Sequence, residues 1–149
     1  PKNRRRRCSL LITRETAEGV TRVLIDTSPD MREQLLDAGV GALDGVVYTH
    51  SHADHMHGID DLRQVIPLGC TPVAVELIKD AKPLPEYRHP EQAFYIFGPE
   101  DGTLDKGVRA WCQDVVFIPT EGCMNLAATV NVVLYDRMVK ALAKGRATV

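Results

Sequence analysis

Thr49-His50-Ser51-His52-Ala53-Asp54-His55 places three histidines and an aspartate within six residues. Neutral imidazole nitrogens suit Zn²⁺, Fe and Mn, and a carboxylate can complete or bridge such a site. The group directly follows the apolar run Val46-Val47-Tyr48. A strand that ends in this loop directs several metal-ligand side chains into one small volume. The motif does not close a catalytic zinc site alone, because such a site normally takes three protein ligands plus water. The chain has five histidines, and only His57 and His89 follow His55. His57 reads as part of the loop's helical exit, and His89 lies in Tyr87-Arg88-His89-Pro90.

A second set of residues suggests different chemistry. Gly98 has no Cβ and lets a ligand approach the backbone closely. Ile118-Pro119 ends a strand with an apolar surface suited to an adenine face. Met124-Asn125-Leu126 opens a long helix, where free backbone N–H groups can meet polar ligand groups. Taken singly, Gly98 reads as a strand end and Asn125 as a helix cap.

The elements that must position these residues follow from the apolar pattern. Cys8 to Thr13 reads as a strand, with a turn at Glu18-Gly19. Arg22-Val23-Leu24-Ile25-Asp26 is a second β-branched run. A helix follows, with Ser28 as N-cap and Pro29 in the first position. Met31, Leu35, Leu36 and Ala38 form its apolar face, and Gly39 ends it. Gly45 to Tyr48 is a third strand. Asp60 to Val65 begins another helix.

Downstream, Thr71 to Leu77 reads as a strand, and Lys82 to Pro90 as a polar, proline-rich loop. Ala93 to Phe97 is a strand and Leu104 to Trp111 a short helix. Val115 to Ile118 is the last strand, stopped by Pro119. In the final helix Val130, Val133, Leu134, Met138 and Leu142 recur at spacings of three and four, an amphipathic stripe. Strands alternating with helices imply an α/β fold, a layered sheet flanked by helices.

At 149 residues the chain is about one domain long. Its 44% hydrophobic and 26% charged residues fit an ordinary globular protein, and a net charge of −2 gives no global field for nucleic acid. Lys2 and Arg4-Arg5-Arg6-Arg7 form a local basic run, a solvated tail or an RNA-binding arm. No apolar stretch approaches the roughly 20 residues that span a bilayer, and no signal peptide is visible. Cys8, Cys70, Cys112 and Cys123 are scattered, which favours reduced thiols and a cytoplasmic setting.

The run Asp26-Thr27-Ser28 followed by Tyr48-Thr49-His50-Ser51-His52-Ala53-Asp54-His55-Met56-His57-Gly58 resembles the metallo-β-lactamase fold hydrolases, most closely their phosphodiesterase branch. The likeness covers roughly residues 3–65. It implies one metal, zinc or manganese, on His50 and His52 and a second on Asp54 and His55. Asp26 would steady the loop from behind the ligands. Two metals would activate a bridging water for attack on a phosphoryl or carbonyl centre, with Asp54 counted among the catalytic groups. The family's later ligands, another histidine, a bridging aspartate and a late histidine, have no counterpart here.

From about Asp61 or Pro67 the chain resembles the SPOUT (SpoU/TrmH-like) RNA methyltransferases. Thr71-Pro72-Val73-Ala74-Val75-Glu76-Leu77, His89-Pro90, Phe94 through Gly102, and Ile118-Pro119-Thr120 through Arg137 carry this likeness. It implies a trefoil knot that holds S-adenosylmethionine in a bent shape. Glu76, Gly98, Glu100, Ile118, Cys123, Asn125 and Leu126 would form the cofactor site, with Asn125 also catalytic. It further implies methyl transfer to an RNA ribose 2′-hydroxyl, mainly by positioning plus removal of one proton, and a homodimer. That family's N-terminal part brings a catalytic arginine near an asparagine. Arg32 and Arg63 are present, but neither stands in that context.

The chain therefore reads as two segments, 1–65 and 66–149, which could merge into one domain, with the join between Gly58 and Leu68. Three functions follow: an S-adenosylmethionine-binding RNA methyltransferase, a metal-dependent phosphodiester hydrolase, and a folded hybrid without catalysis.

Overall fold

The computed structural model describes residues 5–67, 69–99 and 102–145. Lys2 and Arg4 of the basic run, Leu68 at the join, and Glu100 and Asp101 lie outside them. The strands are β1 (Leu10–Thr16), β2 (Gly19–Ile25), β3 (Gly45–Val47), β4 (Thr71–Val75), β5 (Lys82–Pro83), β6 (Ala93–Phe97) and β7 (Asp114–Phe117). They form one sheet in the order β1-β2-β3-β6-β4-β7-β5. β1 and β2 pair antiparallel, and every other pairing is parallel. The helices are α1 (Met31–Asp37), α2 (Ala53–Met56), α3 (Lys106–Trp111) and α4 (Leu126–Ala143).

Ala93-Phe94-Tyr95-Ile96-Phe97 is apolar at every position, the pattern of a parallel strand covered on both faces. Its alternating side chains divide between two cores. Phe94 and Ile96 join Leu24, Met31, Val46, Tyr48, Ala74 and Val108 on one face. Tyr95 and Phe97 join Val73, Val75, Leu84, Tyr87, Val116 and Val133 on the other. The first core draws on residues from before and after the join. Among the described residues, no helix is long and apolar enough to cross a membrane.

Several local expectations are corrected. Helix α1 starts at Met31 with Asp30, not Ser28, as N-cap. Ser28 and Asp30 instead close a turn, in which the Ser28 hydroxyl donates to Asp30 Oδ1 at 3.1 Å and Met31 N donates to the Ser28 carbonyl at 2.9 Å. Leu36 is 63% exposed, off the buried face. Residues Ile59–Gln64 form a 3₁₀ helix, and Lys82–Pro90 contains β5 and a 3₁₀ turn at Leu84–Glu86. Along α4 only Val133 of the apolar stripe is buried, and Leu134, Met138 and Leu142 remain close to half exposed. The sheet covers one line of that helix and residues 84–91 another, and the remaining apolar positions stay exposed.

In a parallel sheet all strand-to-helix loops leave by the same edge, where ligands of α/β folds bind. The loops after β2, β3, β4, β6 and β7 therefore share one rim. β3 and β6 are neighbours, with Val47 opposite Phe97. The histidine loop and the loop that begins at Gly98 therefore leave the sheet side by side.

Candidate functional site

Asp26 organises the histidine loop. It is 5% exposed and has φ 60°, a left-handed conformation that aspartate tolerates better than most residues. Its Oδ1 accepts Thr49 N at 2.7 Å, and its Oδ2 accepts the Thr49 hydroxyl at 2.7 Å. His55 Nδ1 lies 2.8 Å from the same Oδ2. An ionised carboxylate only accepts, so His55 donates from Nδ1, and in the neutral ring its Nε2 carries the lone pair. The Thr49 hydroxyl directs its one proton at Asp26. It therefore accepts from His50 Nδ1, 2.9 Å away, and in the neutral ring His50 Nε2 carries the lone pair too. One carboxylate thus sets two imidazoles in the tautomer a metal requires.

Main-chain bonds brace the loop. Thr27 N donates to the His55 carbonyl at 2.8 Å, and Gly58 N to the Thr27 carbonyl at 2.9 Å. Gly58 has a steric reason to be glycine, since a Cβ there would lie 2.2 Å from the Ser28 carbonyl oxygen. Tyr48 is fully buried, with its hydroxyl 3.1 Å from Thr27 Oγ1. Burial pushes that phenol well above its ordinary pKa.

The rings of His50 and His52 lie 4.6 Å apart between centroids, and those of His50 and His55 3.9 Å. Asp54 is half exposed and its Oδ2 is 3.5 Å from His55 Nε2. The donor types suit zinc or manganese. Among the described residues, however, no three His, Cys, Asp or Glu side chains are arranged to hold an ion.

The second site is a shallow cleft open to solvent, with a cavity volume of about 90 Å³. Glu76, Gly98, Ile118, Cys123 and Leu126 all line it, brought together from the ends of β4, β6 and β7 and the start of α4. Ile118 and Leu126 supply apolar wall and pack against the second core. Asn125 adjoins the cleft as the N-cap of α4, its Oδ1 accepting Ala127 N at 3.0 Å and Ala128 N at 3.3 Å. Its carbonyl oxygen thus serves the helix. Glu100 lies outside the described residues.

Gly98 and Glu76 also meet each other. A Cβ on Gly98 would stand 2.4 Å from Glu76 Oε2, so the glycine makes room for that carboxylate. Glu76 in turn braces the cleft. Its Oε2 accepts Leu104 N at 2.8 Å and its Oε1 accepts Leu77 N at 3.1 Å, tying the loop after β6 to the end of β4.

Sequence reasoning left Thr49 and Ser51 without roles and His89 outside any site. His89 is held between the Tyr95 hydroxyl at 2.6 Å and Asp136 Oδ2 at 2.8 Å. Arg137 donates to the Pro90 and Glu91 carbonyls at 2.8 and 2.7 Å, and Lys140 to those of Leu84 and Tyr87 at 2.6 and 3.0 Å. This network fastens residues 84–91 to α4. The polar residues Tyr87, Arg88 and His89 beside an apolar strand were its one visible signal.

A family model described as a beta-lactamase superfamily domain matches residues 21–119. An octanoyltransferase of Porphyromonas gingivalis is 49% identical over 63 residues, 42% of this chain and 12% of that protein. A diphosphatase of the PhnP family is 40% identical over 50% of this chain and 30% of its own, with a TM-score of 0.42. The SpoU methyltransferase AviRb from Streptomyces viridochromogenes, solved in complex with AdoMet, is 17% identical with a TM-score of 0.49. That match covers 81% of this chain and 60% of AviRb. The chain thus spans about an eighth of the octanoyltransferase and under a third of the diphosphatase. Both kinds of relative suggested by the two halves are found among the similar proteins.

Proposed function

The chain belongs to the beta-lactamase superfamily, and on that frame we propose that its principal chemistry lies in the second site: binding of S-adenosylmethionine and methyl transfer to an RNA ribose 2′-hydroxyl. The supporting observation is that Glu76, Gly98, Ile118, Cys123 and Leu126 converge on one cleft from four separate stretches. Ile118 and Leu126 offer the apolar surface an adenine ring needs, and Glu76 holds Leu104 N beside the cleft. Bound there, the cofactor would supply an activated methyl group, and the protein's part is to position it. The exposed Arg5 and Arg7 give the RNA backbone a partner, while Arg6 is paired with Asp37.

On this reading residues 1–65 and 66–149 form one merged domain, the chain between β7 and α4 forms the knot, and a second copy covers the exposed side of α4. Sedimentation of the protein as a monomer at micromolar concentration would remove the dimer. The reading itself is tested by calorimetric titration of S-adenosylhomocysteine into metal-stripped protein. Saturable binding near one per chain is expected; absence of heat would end it.

A second reading, a metal-dependent phosphodiester hydrolase, is favoured by the Asp26–Thr49–His50 and Asp26–His55 bonds, which set both imidazoles in a ligand tautomer. Zinc uptake should then disappear in His50→Ala plus His52→Ala. Stoichiometric zinc retained by that variant would dismiss it.

A further inference from the structure

Strand β1 is one edge of the sheet, and among the described strands it pairs with β2 alone. The bonds of β2 decide which main-chain groups of β1 face outward. Asp26 N donates to the Val47 carbonyl at 2.9 Å and Asp44 N to the Arg22 carbonyl at 2.8 Å, so the even-numbered residues along β2 turn toward β3. Its odd-numbered residues turn toward β1, where Ile25, Val23 and Thr21 lie opposite Leu10, Ile12 and Arg14. Leu11, Thr13 and Glu15 therefore direct their N–H and C=O groups to the open edge. Neither a bulge nor a proline interrupts its seven residues, so the edge can accept a further strand.

Side chains restrict what that strand can be. Leu11 packs against the first core, on the α1 face of the sheet. Leu10 and Ile12 point to the other face and are 59% and 49% exposed. Charge is unequal along the edge. At its start Asp30 accepts Arg7 N at 3.3 Å, which holds the exposed Arg7 on the α1 face. At its end the exposed Glu15 shares that face with Leu11 by strand alternation.

We propose that β1 pairs antiparallel with β1 of a second copy of this chain, about a two-fold axis at Leu11. This register sets Leu10 against Ile12 of the second copy twice, and Leu11 against Leu11. It also brings the basic start of each strand, at Arg7, to the acidic end of the other, at Glu15. Centring on Ile12 would set Leu10 against Arg14, and centring on Thr13 would set Ile12 against Arg14 and Leu11 against Glu15. The pairing takes up Arg7 and leaves Arg5 exposed. It is separate from the exposed side of α4 and depends on the chemistry of neither site.

The test uses the full chain carrying Met138→Glu, which charges the half-exposed side of α4 and removes association through that helix. Sedimentation equilibrium should still find a dimer, with the Leu11 and Thr13 amides protected from hydrogen exchange. Glu15→Arg sets like charges together at both ends and should weaken association about ten-fold. Adding Arg7→Glu restores opposite charges and should recover the affinity. Both positions are exposed, so neither change disturbs the core. Thr13→Pro removes an outward N–H while sparing the bonds to β2, and should abolish the dimer.

A monomer at submillimolar concentration would overturn the proposal. Protected Leu11 and Thr13 amides in such a monomer would mean that the chain covers its own edge. A dimer that Glu15→Arg and Thr13→Pro leave unchanged would place the contact elsewhere and overturn it equally.

Discussion

At the histidine loop a single buried carboxylate, Asp26, holds three donors from Thr49 and His55. At the cleft the walls come from three strand ends and a helix start, and the carboxylate of Glu76 ties only two of them together. The first arrangement is compact in sequence and depends on one residue. The second is dispersed and depends on the sheet that carries it. The difference teaches how each site should fail: the loop through its anchor, the cleft by small steps as individual braces are removed.

The sharpest test of that contrast is Asp26→Ala. Three hydrogen bonds to a buried carboxylate are lost, and alanine must adopt φ 60°. A loss of about 3 kcal/mol is expected, read as a lower denaturation midpoint. Asp26→Asn tolerates that backbone better and keeps an acceptor for Thr49 N, so it should lose less. If Asp26→Ala denatures at the parental midpoint, the loop has no single anchor and the contrast breaks.

At the cleft, Gly98→Ala should have the next largest effect. Its Cβ would strike Glu76 Oε2, so the carboxylate must release Leu104 N. S-adenosylhomocysteine affinity should fall about ten-fold, or about 1.4 kcal/mol. Glu76→Ala removes the obstacle, so adding Gly98→Ala to that variant should cost little more. An undiminished penalty in the double variant would show that Gly98 faces the ligand after all.

A smaller step is expected at Asn125→Ala. Its Oδ1 caps α4 through Ala127 N and Ala128 N, and loss of such a cap costs about 1 kcal/mol. Thermal denaturation measures that cost, and calorimetry measures a parallel weakening of the cleft. A stability loss with unchanged affinity would confine Asn125 to the helix.

How much of this was legible in the sequence varies with what decides each feature. β6 occupies the expected residues, because an unbroken apolar run bounded by polar turns has no other stable place in an α/β sheet. The α4 stripe is only partly covered, at Val133 and Val130, because a period of 3.6 identifies the apolar face and not how much of it is packed. Ser28 was misplaced because the helix begins later, at Met31, and Asp30 holds its N-cap position without a side-chain cap bond. Order along the chain sufficed to nominate the residues that meet at the cleft, yet the close approach of Gly98 to Glu76 was not visible, since the two lie at different strand ends.

The smallest expected effect lies outside both sites and checks whether the clamp beneath the cleft is independent of them. Burial pushes the His89 ring below its ordinary pKa; the bond to Asp136 opposes this, while the nearby Lys140 and Arg137 add to it. Tyr87 and Tyr95, whose phenols burial pushes upward, face the same ring and stay neutral as it titrates. A depressed native pKa means that the unfolded chain binds the proton more tightly, so stability rises with pH. His89 therefore contributes stability that is present above the unfolded value near 6.5 and is lost as pH falls below it. Tm should decline between about pH 7 and pH 5, and His89→Gln should flatten that slope. The affinity of the cleft for S-adenosylhomocysteine should not follow the same curve, since no His89 bond reaches its walls. If affinity and Tm decline together, the clamp on α4 is part of the cleft, and the dispersed site has a deeper anchor than the rim of the sheet supplies.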